Sequence, residues 1–460
     1  ADRELLLAAV AQDGECLQDA PAALRADEEL VLAAVRRSGH ALQFASAGLR
    51  AERRVVLAAA CNSPAALEHA ACELREDSTV LFLLAARAEG WPELATREAL
   101  ELRRAELAVL PEGVACLTKL RTLDLSGNLL ASLPEGLGRL AGLRGLRLLG
   151  NRLAALPEGL GSLGLLEELW LHLNRLSELP EGCAQLRKLQ RLGLGCNRFA
   201  QLPACAAQLP ALQALDVGPR CPGDHALQRF AGTKTAMSSY VCDLCGARGE
   251  NCAELWSCRR CDFDCCGRCC HRAQLASLPE AVCDLAELRT LRVVRHQLPS
   301  LPQGVGRLRA LEELCLSDNR LQQLPQGLTQ LPALRRLELA GNLLARLPEG
   351  LGRLAALEAL DVSRNQLEEL PESCGSLAAL QRLDACCNRL LALPASVVQL
   401  AGLRELGLDG NRLRGLPAGF ERLALLPAPG PRASVRGFTK FQKDAADRRP
   451  RREALRREGR

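Results

Sequence analysis

Apolar residues recur along this chain with two different periods. From Leu120 the phrase L-x-x-L-x-L-x-x-N-x-L-x-x-L-P-x-x-L-x-x-L returns every 23 residues, its first leucine falling at 120, 143, 166, 189 and 212, then at 288, 311, 334, 357, 380 and 403. Between 212 and 288 the step is 76, which is one repeat plus an insertion of 53. Self-similarity at a fixed spacing marks stacked structural repeats. The L-x-L segment predicts a short strand with inward leucines, and strands from successive turns stack into a parallel sheet. Asn128, Asn151, Asn174, Asn197, Asn319, Asn342, Asn365, Asn388 and Asn411 follow the strands. Their amides are expected to satisfy buried backbone groups at each bend. His296 stands where this series expects asparagine and predicts a substitute hydrogen bond. The Leu-Pro step starts the return along the far side, and strands pack closer than return segments, so the coil is expected to curve.

Upstream, Asp2, Asp27, Glu52 and Asp77 are spaced by 25, and each leads an apolar run: LLLAAV, LVLAAV, VVLAAA and VLFLLA. A second apolar segment follows the first three, at 17–24, 42–49 and 67–74. Asp is a good helix N-cap and Ala/Leu-rich segments favour helix, so each unit is expected to form a helical hairpin. Stacked hairpins at this end would cover the open hydrophobic edge of the first leucine-bearing turn.

The 23-residue phrase resembles the leucine-rich repeat family over about 120–425, with a degenerate lead-in from Leu102. Its L-P-x-x-L-x-x-L form is similar to intracellular scaffolds of the Ras-binding and plant Ras-group types. The resemblance implies an α/β solenoid with a curved parallel sheet and recognition of a protein partner, such as a small GTPase or another signalling protein. The 25-residue units look like a family of short Asp-led helical repeats without known activity, which implies fold only. Together these readings divide the chain into a helical repeat domain at 1–101, repeat blocks at 102–218 and 274–426 around a Cys-rich insertion at 219–273, and a tail at 427–460.

Composition narrows the class. With 460 residues, 48% hydrophobic and 25% charged, the chain is not wholesale disordered, and its length suggests roughly three structural units. No apolar run approaches the ~18 residues of a membrane-spanning helix; the longest is Val80 to Ala86. Leu5 to Val10 imitates a signal peptide, but Asp2 and Glu4 precede it and the phrase recurs at 30 and 55, so it belongs to the repeat. The chain does not begin with Met, and an upstream leader is compatible with that. Residues 432–460 hold eleven Lys or Arg against four Asp or Glu, a net of +7 within a chain of net +5. This basic tail reads as flexible and supplies an alternative function, nucleic-acid or anionic-surface binding with a nuclear location.

Nine of the 22 cysteines lie between Cys242 and Cys270. Most others stand where neighbouring repeats carry leucine or a small residue, as Cys183 and Cys374 do at the place of Leu137 and Leu160, and read as buried free thiols. Reduced thiols beside a dense cluster point to a cytoplasmic, reducing compartment and a metal site. The insertion reads C242-x2-C245-x12-C258-x2-C261-x4-C266-x2-C269. Two C-x-x-C turns present four thiolates to one tetrahedral ion, so structural Zn2+ is expected, as one or two ions. The spacing resembles ZZ-type and C1-like fingers, whose ligand pairs interleave. Carried over by position, Cys242, Cys245, Cys266 and Cys269 would bind one zinc, and Cys258 and Cys261 would start a second. The later histidine pair of ZZ fingers is absent, which leaves Cys252, Cys270, His271, His225 and Cys221 as open completions. The insertion starts near Gly218, just after a strand, and is expected to leave from the rim where strands end.

Residues alternating with the inward leucines should face the concave surface. There stand Arg147, Leu149, Trp170 and His172, and later Arg292, Glu338, Asp361, Asp384 and Asp409. Trp170 is expected as a recognition hot spot, and the path turns acidic toward the C-terminus, which suits a basic partner. Enzyme signatures are missing: Gly-Thr-Lys-Thr at 232–235 lacks the earlier glycine of a phosphate loop, and there is no G-x-S-x-G, H-E-x-x-H or kinase set. The leading expectation is therefore a monomeric, non-enzymatic scaffold or adaptor. A ubiquitin-ligase component is a further alternative, although the cysteine spacing departs from the ring-type pattern.

Overall fold

The computed structural model describes residues 3–75, 91–218, 228–229, 255–258, 263–266, 275–420 and 423. The fourth helical unit, most of the cysteine cluster and the basic tail lie outside the described residues. The chain divides into two compact units, Ala1–Leu189 with Arg220–Gly267, and Gln190–Pro219 with Arg268–Arg460.

The first unit opens with the 25-residue repeats. Helices α1 (Arg3–Gln12), α2 (Glu28–Arg37) and α4 (Arg53–Asn62) are ten residues each, and α3 (Ala47–Arg50), α5 (Cys72–Arg75) and α6 (Trp91–Leu94) are single turns. Asp27 caps α2 as expected, accepting the Leu30 amide at 3.1 Å. Its other oxygen accepts Arg3 Nε at 2.7 Å, and this pairing with Arg3 is the main reason its carboxyl sits below the ordinary range. Glu52, one methylene longer, makes no such cap at the start of α4. The second arm of each unit departs from expectation. It is a six-residue 3₁₀ segment, Gly14–Asp19, Gly39–Phe44 and Pro64–His69, and not an α-helix. The first two of these segments begin hard against the C-terminal part of the next helix, α2 and α4. A Cβ on Gly39 would overlap the Ala59 carbonyl oxygen, and the Gly39 amide donates to Asn62 Oδ1 at 2.8 Å. That close approach admits only glycine at this position.

The 23-residue repeats form three-residue parallel strands. In the first unit β1 (Ala99–Glu101), β2 (Thr122–Asp124), β3 (Gly145–Arg147) and β4 (Glu168–Trp170) pair in order, with Leu100, Leu123, Leu146 and Leu169 in register. In the second unit β5 (Arg191–Gly193) pairs with β6 (Ala214–Asp216). The insertion contributes β7 (Gln228–Arg229), β8 (Leu255–Cys258) and β9 (Phe263–Cys266), an antiparallel sheet in the order β7-β8-β9. Beyond it, β10 (Thr290–Arg292) pairs directly with β6, setting Leu291 beside Leu215 as though nothing intervened. The ladder continues through β11 (Glu313–Cys315), β12 (Arg336–Glu338), β13 (Ala359–Asp361), β14 (Arg382–Asp384) and β15 (Glu405–Gly407). The register is forced, because a one-residue slip would turn every strand leucine to solvent.

The asparagines do what the pattern predicts. Asn342 is buried; its Oδ1 accepts the Leu321 amide at 3.1 Å and its Nδ2 donates to Leu316 O at 3.0 Å and Leu339 O at 2.9 Å. Asn151, Asn319, Asn365 and Asn388 repeat the arrangement one turn at a time. The return segments are 3₁₀ turns that begin after a proline, for example Glu349–Arg353 after Pro348. Adjacent return turns nearly touch, since a Cβ on Gly352 would overlap the Ser373 carbonyl oxygen. The glutamate of the Leu-Pro-Glu phrase links turns as well. Glu372 accepts the amides of Ala395 and Ser396, both at 3.1 Å, and the Ser396 hydroxyl first, then these amides, hold its carboxyl below the ordinary range.

Candidate functional site

Alternation along each strand aligns side chains into columns across the sheet face. In the second unit the register runs Asp216, Arg292, Cys315, Glu338, Asp361, Asp384, so four of the residues expected to meet a partner stand on one line. The column changes character along its length. Arg292 is neutralised by Asp216, with Nε 3.5 Å from Oδ2, and its Nη1 approaches Cys315 Sγ at 3.5 Å. Glu338, Asp361 and Asp384, half-buried, have no cationic partner among the described residues. Asp361 and Asp384 accept backbone amides two residues on, from Ser363 at 2.9 Å and Cys386 at 3.1 Å. Burial, with the charges of Asp384 and Glu338 adding to it, raises the Asp361 carboxyl above its usual range. Asp216 and Cys315 were missed by the sequence reading, although register alone would have placed both.

In the first unit the expected face residues behave differently. Arg147 is half-exposed and pairs with Glu168 at 3.3 Å. Leu149 is 1% exposed, Trp170 6% and His172 0%, so none of the three is displayed. The Trp170 and His172 rings stack at 5.7 Å, and the indole Nε1 donates to Glu168 Oε2 at 3.4 Å. The alternation rule puts these side chains on the predicted side of their strand, but that side is packed and closed to solvent at this point.

The junction of the insertion is held by His296. Its Nδ1 accepts the Leu275 amide at 3.1 Å, and Nε2 faces the Val217 carbonyl oxygen at 3.1 Å. A ring nitrogen that accepts an N–H carries no proton, so the proton is on Nε2 and is donated to Val217. Val217 precedes the insertion and Leu275 follows it, so one imidazole joins the two chain ends in the way Asn319 joins Leu298 and Val293. Of the six proposed zinc ligands, Cys242, Cys245, Cys261 and Cys269 lie outside the described residues. The backbone of Cys258 pairs with Phe263 beside the turn of the β8–β9 hairpin, and that of Cys266 pairs with Leu255 at the far end. Those positions are roughly 10 Å apart along the strands. Among the described residues no group of three His, Cys, Asp or Glu could hold a metal ion.

Comparison with known proteins follows the same division. The leucine-rich repeat region family matches residues 257–366, and the leucine rich repeat family matches 119–140 and 356–377. Both blocks of in-register leucines are therefore recognised independently of the coordinates. The chain is a leucine-rich repeat protein. A domain of unknown function (DUF4116) matches its residues 2–50. No curated protein matches the chain. Among solved structures, a leucine-rich repeat protein of Leptospira interrogans is 30% identical over 71% of this chain and 81% of its own, with a TM-score of 0.44. A TDR receptor is 24% identical over 69% of this chain and 48% of its own, with a TM-score of 0.53. The functional domain of InlJ from Listeria monocytogenes, described as including a cysteine ladder, is 19% identical over 70% of this chain and 56% of its own, with a TM-score of 0.51.

Several cysteines of this leucine-rich repeat protein outside the insertion are packing residues, whereas Cys72, Cys116 and Cys387 are exposed. Cys183, Cys283, Cys315 and Cys374 are buried. Burial is the first cause that pushes the Cys283 thiol up to about 11 and the Cys374 thiol up to about 12, and it raises Cys315 further. A thiol held protonated at neutral pH is neither nucleophile nor metal ligand. No helix among the described residues is long and apolar enough to cross a membrane.

Proposed function

We propose that this leucine-rich repeat protein is a non-enzymatic scaffold or adaptor that binds a protein partner through a basic patch, on the sheet face of its second unit. The observation that carries this reading is the in-register column Glu338, Asp361, Asp384. Three stacked half-buried carboxylates without a counter-charge are an unfavourable arrangement that a partner's Lys or Arg would relieve. A rigid preformed sheet lowers the ordering cost of such binding. The wide use of the fold for binding, as in the receptor noted above, supports the same class of role, and the protonated core thiols are compatible with a reducing, intracellular setting.

The raised Asp361 carboxyl gives a checkable sign. Its ionised form is disfavoured by folding, so its contribution to stability is full below the unfolded value, near 3.8, and is lost as pH rises through the shifted one. The combined variant Glu338→Gln, Asp361→Asn, Asp384→Asn is expected to melt about 1–3 °C higher than the parent at pH 7, with the difference fading near pH 3.5. In affinity capture with the full chain, the same variant should lose a salt-eluted partner that the parent retains. Identical capture by both proteins would sink the reading.

Zinc belongs to the same proposal. Cys242, Cys245, Cys266 and Cys269 would hold one structural ion, and Cys258 with Cys261 would begin a second; the separation of Cys258 from Cys266 along the hairpin supports assigning them to different ions. When bound, zinc cross-links the insertion and has no open position for a reactant. Natively purified protein should contain at least one zinc per chain by elemental analysis, and less than one rejects the site.

A further inference from the structure

A second surface of the leucine-rich repeats lies at the edge where strands end, and it carries charge that the sheet face does not explain. The residue after each asparagine donates its amide to a leucine carbonyl one turn back: Arg320 to Leu298 at 3.0 Å, Leu343 to Leu321 at 2.9 Å, Gln366 to Leu344 at 3.0 Å, Arg389 to Leu367 at 2.9 Å and Arg412 to Leu390 at 3.0 Å. This regular bond sets the side chains in a single column, about 4.8 Å from turn to turn. Arg320, Arg389 and Arg412 are exposed, as are Arg346 and Arg414 beside them, and none has an acidic partner among the described residues. Asp318, at the same strand exits, is taken up by Arg295 at 3.1 Å and Arg364 at 3.5 Å, and Glu368, Glu369 and Asp409 are the other acidic residues there, so the edge remains net basic.

The opposite edge shows what a merely solvated arrangement looks like. There, just before the strands, Arg289 pairs with Glu312 at 3.2 Å and Arg335 with Glu358 at 3.3 Å, each across one turn. At the strand-exit edge Arg320, Arg389 and Arg412 have no such pairing among the described residues. It also exposes two large apolar side chains in the same strip, Leu343 at 41% and Leu391 at 44%. Guanidinium groups present a planar fork that fits carboxylates or phosphates, while single-stranded nucleic acid generally needs aromatic side chains for base stacking. Residues 297–419 contain no aromatic at all.

We propose that this edge of the second unit binds an extended acidic polypeptide that carries apolar residues between its carboxylates. The carboxylates meet Arg320, Arg389 and Arg412, and the apolar side chains lie on Leu343 and Leu391. This surface is separate from the acidic column, which would take a basic partner, and either can fail alone.

The test uses the full chain and two fluorescein-labelled probes of about twelve units, a Glu-Glu-Leu repeat peptide and an oligothymidylate, in anisotropy titrations at low salt. Arg389→Glu with Arg412→Glu is compared with Arg289→Glu with Arg335→Glu, which changes net charge equally on the other edge. Expected is peptide binding weakened about tenfold by the first pair and less than about twofold by the second, with poly-glutamate of equal length bound more weakly than the peptide. The proposal is overturned if the peptide does not saturate, if both pairs weaken it equally, or if the oligothymidylate binds more tightly and is lost with the first pair.

Discussion

Asn342→Ala is expected to cost about 3–5 kcal/mol, read as a fall in the urea midpoint followed by circular dichroism. The asparagine is 4% exposed and serves three backbone groups at once, the Leu321 amide and the carbonyls of Leu316 and Leu339. Alanine makes none of these bonds, and each buried group left unpaired costs on the order of 1–3 kcal/mol. Asn411 provides an internal control. It forms the same set, accepting from Leu390 at 3.1 Å and donating to Ala385 at 2.8 Å and Leu408 at 2.9 Å, but it is half-buried and water can replace it. Asn411→Ala should therefore cost about 1–2 kcal/mol. Equal losses at the two positions would show that burial does not set the value of the asparagine bond.

His296→Leu should cost about 2–3 kcal/mol, while His296→Asn should be close to neutral. Leucine fills the space but leaves the Leu275 amide and the Val217 carbonyl without their present partners. Asparagine offers the same acceptor and donor that Asn319 offers to Leu298 and Val293. Because the two chain ends of the insertion meet at this ring, the loss should be local. Amide exchange at Leu275 and Gln297, whose amide donates to Leu275 O at 3.2 Å, should accelerate before that of the strands. If leucine and asparagine prove equally stable, the imidazole is not bridging the junction.

Much of this architecture is readable without coordinates, for reasons specific to repeats. A 23-residue step returns each leucine to the same place in the next turn, so period alone determines parallel pairing, and the pairing of Leu215 with Leu291 follows from subtracting the insertion. The asparagine bonds, the substitution by His296 and the packing of Cys183 and Cys374 follow from position within the repeat. Local chemistry was less legible. The six-residue 3₁₀ segments of the helical units were hidden because Ala/Leu content favours α-helix, while the seating of Gly14 and Gly39 against the Ala34 and Ala59 carbonyls depends on the neighbouring repeat. The glutamate that caps the next return turn was also missed, since its partners lie 23 and 24 residues ahead.

The sequence by itself determined the winding of the chain, which side of each strand every residue takes and where the thiol-rich insertion departs. Tertiary structure alone decided exposure and pairing. Trp170 and His172 stand on the predicted side yet are closed to solvent, and Arg292 is spent on Asp216 while Glu338, Asp361 and Asp384 keep their charge unanswered. The physical reason is that periodicity describes a residue's relation to its own turn. Solvation and charge depend on what other turns bring to the same few ångströms, and no single repeat contains that information.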